Sequence, residues 1–168
     1  MKFVFSILWL IILTMNLQVH ASEYHYDNYG LDSERWQLPR TYYFNLDDKY
    51  LLDPTGEYFD LSICSLSGYQ TCLKSGLFKL FIKEGVLKEG ENWIANETKF
   101  VAEKKLNMQF HGKSQQVYLI SSKPNEHLKY QFYYSLDNGL IGLSITYLDD
   151  DQTEFYLLRE AKGLGASK

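Results

Sequence analysis

Between residues 128 and 147, apolar and polar positions alternate in two successive runs on either side of Asp137-Asn138-Gly139. A period of two marks a half-buried strand, and Asn-Gly between two such runs is the strongest short-range signal of a β-hairpin. A two-residue turn at Asn138-Gly139 would set Asp137 opposite Leu140. It predicts the pairs Leu136/Ile141, Tyr134/Leu143, Phe132/Ile145 and Tyr130/Tyr147 on one face. The opposite face would pair Ser135 with Gly142, Tyr133 with Ser144, Gln131 with Thr146 and Lys129 with Leu148. One face is apolar and the other mostly polar, as an antiparallel sheet packed on one side requires.

The pattern recurs more faintly elsewhere. Residues 106–119 can be written as a hairpin turning at Gly112-Lys113, with Gly first as in a type II′ turn. That register pairs Phe110 with Gln115, Met108 with Val117 and Leu106 with Leu119. Residues 42–52 suggest one strand, interrupted by Asp47-Asp48. Asp53-Pro54-Thr55-Gly56 reads as a type I turn, followed by a strand over 58–63. In residues 71–86, Phe78, Leu80 and Ile82 alternate as in a strand, whereas Leu73, Leu77, Leu80 and Phe81 fit a helix face; strand is the favoured reading. After Tyr147 the acidic run 149–151 marks a turn into a strand at 153–159. An odd loop would put Phe155 and Leu157 on the apolar face, and an even one Tyr156 and Leu158. The fold class expected is all-β, or mostly β with a short helix: antiparallel hairpins forming a curled sheet, sandwich or open barrel.

The ends read differently. Lys2 precedes an apolar run over 3–17, and Val19-His20-Ala21 resembles a cleavage site, so residues 1–21 are expected to be a signal peptide. Residues 22–40 are polar and tyrosine-studded and read as an extended N-terminal arm, with Trp36 its best candidate for docking. A single β domain is expected over 41–162, with a flexible glycine-rich tail over 163–168.

Charge and cysteines narrow the setting. The chain carries 17 Lys and Arg against 21 Asp and Glu, and removal of the leader shifts its net charge from −4 to −5. With no dense basic cluster, nucleic acid and anionic lipid surfaces are poor partners. Stable membrane insertion after cleavage is not expected either. Cys64 and Cys72 both lie in the exported part and are expected to pair around a turn at Ser67-Gly68-Tyr69. Closing so short a loop contributes about 2–3 kcal/mol in the chain-entropy model.

Candidate chemistry is sparse. Extending the first hairpin outward sets His127 across from Asp150, but no nucleophile elbow accompanies them, and an exposed cross-strand pair is the better reading. Asp149-Asp150-Asp151 lacks the spacing of a calcium loop, and no zinc, phosphate or dinucleotide motif occurs. No cofactor, metal or catalytic residue is assigned. Asn96-Glu97-Thr98 is a glycosylation sequon. On the polar face of the main hairpin, Tyr133, Gln131, Ser144 and Thr146 form the candidate binding patch.

These features favour an exported, bacterial periplasmic or extracellular, non-enzymatic binding protein of inhibitor, immunity or accessory type. Its partner would be another exported or envelope protein. Two alternatives are a small secreted hydrolase using His127 and Asp150, and a structural envelope component.

Overall fold

The computed structural model describes residues 22–29, 40–64 and 67–166. Residues 1–21, expected to be a signal peptide, and residues 30–39, with Trp36, lie outside the described residues. Strands β1 (Glu23–Asn28), β2 (Thr41–Asn45), β3 (Tyr50–Leu52) and β4 (Tyr58–Asp60) form one meander. The chain then leaves at Leu61 to build a separate sheet from β5 (Ser62–Ile63), β6 (Tyr69–Lys74) and β7 (Lys79–Lys83). It returns as β8 (Asn92–Ala95), β9 (Thr98–Phe110), β10 (Lys113–Ser122), β11 (Leu128–Ser135), β12 (Gly139–Tyr147) and β13 (Gln152–Leu158). Because β13 pairs with β1, the two meanders join into one antiparallel sheet of ten strands, ordered β4-β3-β2-β1-β13-β12-β11-β10-β9-β8. The fold is all-β, with no helix among the described residues, and the large sheet does not close into a barrel.

Phe78, in the turn between β6 and β7, shows how strongly this sheet curls. Its ring lies 5.6 Å from that of Phe44 on β2 and 6.1 Å from that of Phe132 on β11, centroid to centroid. Those strands are four positions apart, which in a flat sheet means roughly 19 Å at about 4.8 Å per strand. One ring can reach both only if the sheet wraps around it. Its lining of Tyr24, Tyr26, Tyr42, Phe44, Leu51, Phe132, Leu143 and Tyr156 is buried, as are Leu80 and Ile82 of the small sheet. Trp93 on β8 ties the layers together by donating its indole N–H to the Phe81 carbonyl at 2.9 Å. Cys64 and Cys72 are disulfide-bonded, with Cα atoms 5.2 Å apart.

Both predicted hairpins exist, each two residues out of the expected register. In β11–β12 the pairs are Tyr130/Ile145, Phe132/Leu143 and Tyr133/Gly142, with an irregularity before Tyr134/Leu140. Residues 136–138 make the turn, and Gly139 takes a left-handed φ of 73°. In β9–β10 the turn is His111-Gly112, both at positive φ as in a type I′ turn, so Lys113 pairs with Phe110 and Val117 with Leu106. A two-residue shift leaves every side chain on its expected face, so the apolar pattern does not penalise it. The last strand resolves its open choice: four residues link Tyr147 to Gln152, and Tyr156 and Leu158 are the buried pair.

Other expectations need correction. Residues 23–28 are not part of a loose arm; β1 is an interior strand between β13 and β2, with Tyr24 and Tyr26 inside. The expected strand over 42–52 is two strands, with Asp47-Asp48 in the turn between them. The strand over 58–63 divides at Leu61, where the chain changes sheets. In residues 71–86, by contrast, the favoured strand reading holds: β6 and β7 run there, and no helix does.

The tail is not loose through residue 166. Leu164 is buried, Leu140 N–H donates to the Leu164 carbonyl at 2.8 Å, and Gly163 N–H donates to the Asn138 carbonyl at 2.7 Å. The glycines permit this approach: a Cβ on Gly163 would sit 1.9 Å from the Leu140 oxygen, and one on Gly165 1.6 Å from Thr71 Oγ1. Docking against the β11–β12 turn also gives that turn long-range partners that a local turn signal does not contain.

Candidate functional site

The outer face of β11 and β12 gathers the four residues singled out from sequence, in shifted pairs. Gln131 stands opposite Ser144, Tyr133 opposite Gly142 and Lys129 opposite Thr146. Their polar groups are largely turned toward one another. Ser144 Oγ lies 3.4 Å from Gln131 Oε1, and Gln131 Nε2 donates to Glu103 at 3.0 Å. Thr146 and Thr153 share a hydroxyl hydrogen bond at 2.9 Å, and the Tyr133 ring meets Phe155 edge-on at 5.1 Å. Burial works against the charge on Glu103, but hydrogen bonds from Lys129, Ser121 and Gln131, with the Lys129 charge, hold its carboxyl below the usual range. This is a self-satisfied surface in which Ser144 is buried.

His127 pairs with Asp149 rather than Asp150. Its Nδ1 lies 2.9 Å from Asp149 Oδ2, because the observed register brings Leu148 N–H onto the His127 carbonyl. Both side chains are well exposed, at 60% and 72%. Ser121 and Ser122 pair with Gln131 and Tyr130 and so point to opposite faces of β10. Among the described residues no hydroxyl hydrogen-bonds to His127, and this dyad has no nucleophile. No group of three or more His, Cys, Asp or Glu among the described residues is placed to hold a metal ion.

A different arrangement occupies the outer face of β1–β4. Cross-strand pairing sets His25 beside Tyr43, and the register continues through β3 to β4. Ring centroids are 4.8 Å apart for His25–Tyr43, 5.6 Å for Tyr43–Tyr50 and 4.6 Å for Tyr50–Tyr58. The result is an aromatic ladder across four strands, ending on the sheet edge at Tyr58, which is 57% exposed. The rings stand against one another, so the ladder offers water its edges and hydroxyls, with one open ring at Tyr58.

Acidic side chains border the ladder. Glu23, Asp47, Asp48 and Asp60 are exposed around it, with Lys49 the base in the adjoining turn. Asn45, itself buried, donates to Tyr43 Oη at 3.3 Å, Asp48 at 3.1 Å and Glu23 at 3.4 Å. Desolvation and the neighbouring Glu23 carboxylate push the Tyr43 phenol well above its ordinary range. At the inner end, His25 Nδ1 lies 2.7 Å from Glu160. The sequence signal for this ladder is weak: Tyr43, Tyr50 and Tyr58 have no common spacing, and they meet only once three strands pair.

No protein-family model, curated protein or solved structure matches this chain.

Proposed function

We propose that this chain is an exported, non-enzymatic binding protein that recognises a basic partner protein through the outer face of β1–β4. The carrying observation is the ladder from His25 through Tyr43 and Tyr50 to Tyr58, rigid, partly exposed and rimmed by Glu23, Asp48 and Asp60. Tyrosines held by their neighbours lose little freedom on contact, and an acidic rim steers a basic surface toward them. The Cys64–Cys72 bond fits an oxidising compartment, and the leader-like run over 1–21 supports export. The function is that of an inhibitor, immunity or accessory protein acting on another protein of the bacterial envelope or the medium. The β11–β12 patch of Gln131, Tyr133, Ser144 and Thr146 serves this reading less well, because its polar groups already bond one another.

The test uses the full chain, expressed with its leader and purified oxidised, as bait for proteins of its own envelope and medium. A basic protein is expected to bind in near-equal amount. Binding should be lost when Tyr58→Ser is combined with Asp60→Lys, two exposed edge-strand changes that should leave the fold intact. Retention of the same partner by the double variant would exclude this face.

A further inference from the structure

The curled sheet has a second feature, at the end where β10 finishes and β11 begins. A cleft of about 290 Å³ opens there between the large sheet and the β6–β7 turn. Phe78, Leu128 and Tyr130 form its apolar wall, Thr98 and Ser122 supply hydroxyls, and Lys79 is its single charged residue. In a chain with more acids than bases, no carboxylate among the described residues lines this opening.

Ser122 makes the cleft more than a packing defect. It is 3% exposed, on the inner face opposite Tyr130, and no hydrogen bond to its hydroxyl occurs among the described residues. Its oxygen is not among the described side-chain atoms sealed from solvent without a partner, which are Thr71 Oγ1 and Tyr118 Oη, so it stays open to the cleft. Thr98 Oγ1 has only a long contact, 3.5 Å, with the Asn96 carbonyl. Lys79 Nζ donates one hydrogen bond to that same carbonyl at 3.0 Å, and an ammonium has three N–H donors. The unused polar capacity therefore faces a small apolar space at the low end of ligand-site volumes.

We propose that this cleft binds a small amphipathic carboxylate, a short or medium-length acyl acid. Its chain lies against Phe78, Leu128 and Tyr130, and its carboxylate meets Lys79 and the Ser122 hydroxyl. The site is separate from the outer face of β1–β4, and its occupant is too small to be a protein segment.

Isothermal titration of the full oxidised chain with octanoate, beside the neutral alcohol octanol, tests this. Octanoate should bind saturably, one per chain, and more tightly than octanol. Lys79→Met should weaken octanoate about tenfold or more, as loss of a charge-assisted hydrogen bond implies, while leaving octanol unchanged. A purely structural role for Lys79 would weaken both. Ser122→Ala should weaken octanoate in a chain that melts no lower than the wild type. Should a variant fail to fold, contacts from octanoate methyl protons to the Phe78 ring and Leu128 methyls of the wild type decide the matter by NMR. Absence of saturable binding at millimolar octanoate, equal affinity in Lys79→Met, or absence of those contacts would each overturn the proposal.

Discussion

The two ends of the curled sheet are built to opposite standards. At one end residues 163–166 close over the β11–β12 turn, and several polar groups there find partners, although Thr71 Oγ1 beside Gly165 is buried without one. Tyr134 donates to the Gly165 carbonyl at 2.7 Å, Tyr26 to the Leu140 carbonyl at 2.9 Å, and Leu140 N–H to Leu164. Glycines admit the backbone where a methyl group would collide. At the other end Ser122 holds a buried position with its hydroxyl open to a cleft and hydrogen-bonded to no described residue. Packing is close where residues 163–166 seal the fold and open where the cleft lies. The contrast separates an end devoted to stability from an end available for binding.

The largest effect should come from breaking the sealed end. Gly163→Ala places a methyl group against the Leu140 carbonyl, whose partners on both sides prevent an easy shift. Undocking the tail forfeits Leu164 burial and its hydrogen bonds, about 3 kcal/mol in urea unfolding. A loss near zero would mean that the tail is ornamental and the contrast false. Next in size is the disulfide. Cys64→Ser with Cys72→Ser should cost about 2–3 kcal/mol. Because Thr71, beside Cys72, packs against Gly165, hydrogen exchange should speed up at the tail amides before it does at β10.

A smaller effect is set by acid. Burial tends to raise the Asp27 carboxyl, but two hydrogen bonds from Arg159, one from Thr41 and the guanidinium charge outweigh it, holding the group below its usual range. A carboxyl depressed in the folded state adds stability that is complete above the unfolded pKa, about 4, and lost as pH falls through the folded one. Arg159 follows β13 and leads into the tail, so acid should loosen the sealed end. Unfolding at a series of pH values should show a decline below about pH 4 that is shallower in Arg159→Gln. An unaltered slope would remove this pair from the brace.

What the sequence disclosed follows the range of the interactions involved. Faces were legible because alternation is local: Tyr130, Phe132, Leu143 and Ile145 are inside as expected, even with the pairing displaced by two. Register was not, since a shift of two preserves those faces and was decided by turns such as His111-Gly112. Strand β1 did carry a signal, with Tyr24 and Tyr26 alternating against Glu23, His25 and Asp27, but its partner β13 is at the far end of the chain. The tail was missed for a related reason: glycine reads as looseness locally and as close approach only when Leu140 and Thr71 are present. Asn96-Glu97 was visible only as a sequon, whereas its two left-handed residues make the β8–β9 turn. Of the sites, the β11–β12 patch was legible because it lies within one hairpin. The ladder and the cleft each draw on distant segments.

The smallest effect is the most discriminating, because its sign depends on the cleft being empty or filled. Ser122→Ala removes a hydroxyl, at a buried position open to the cleft, that no described residue hydrogen-bonds, so without ligand it should leave stability unchanged or raise it by up to about 1 kcal/mol. A ligand that binds only the folded state adds stability in proportion to its affinity. With saturating octanoate the wild type should therefore gain more than the variant, and the order of their melting temperatures should reverse. Destabilisation by Ser122→Ala without ligand would mean that the hydroxyl already supports the fold. The open end would then be built to the same standard as the sealed one, and the contrast between them would fail at the residue on which it most depends.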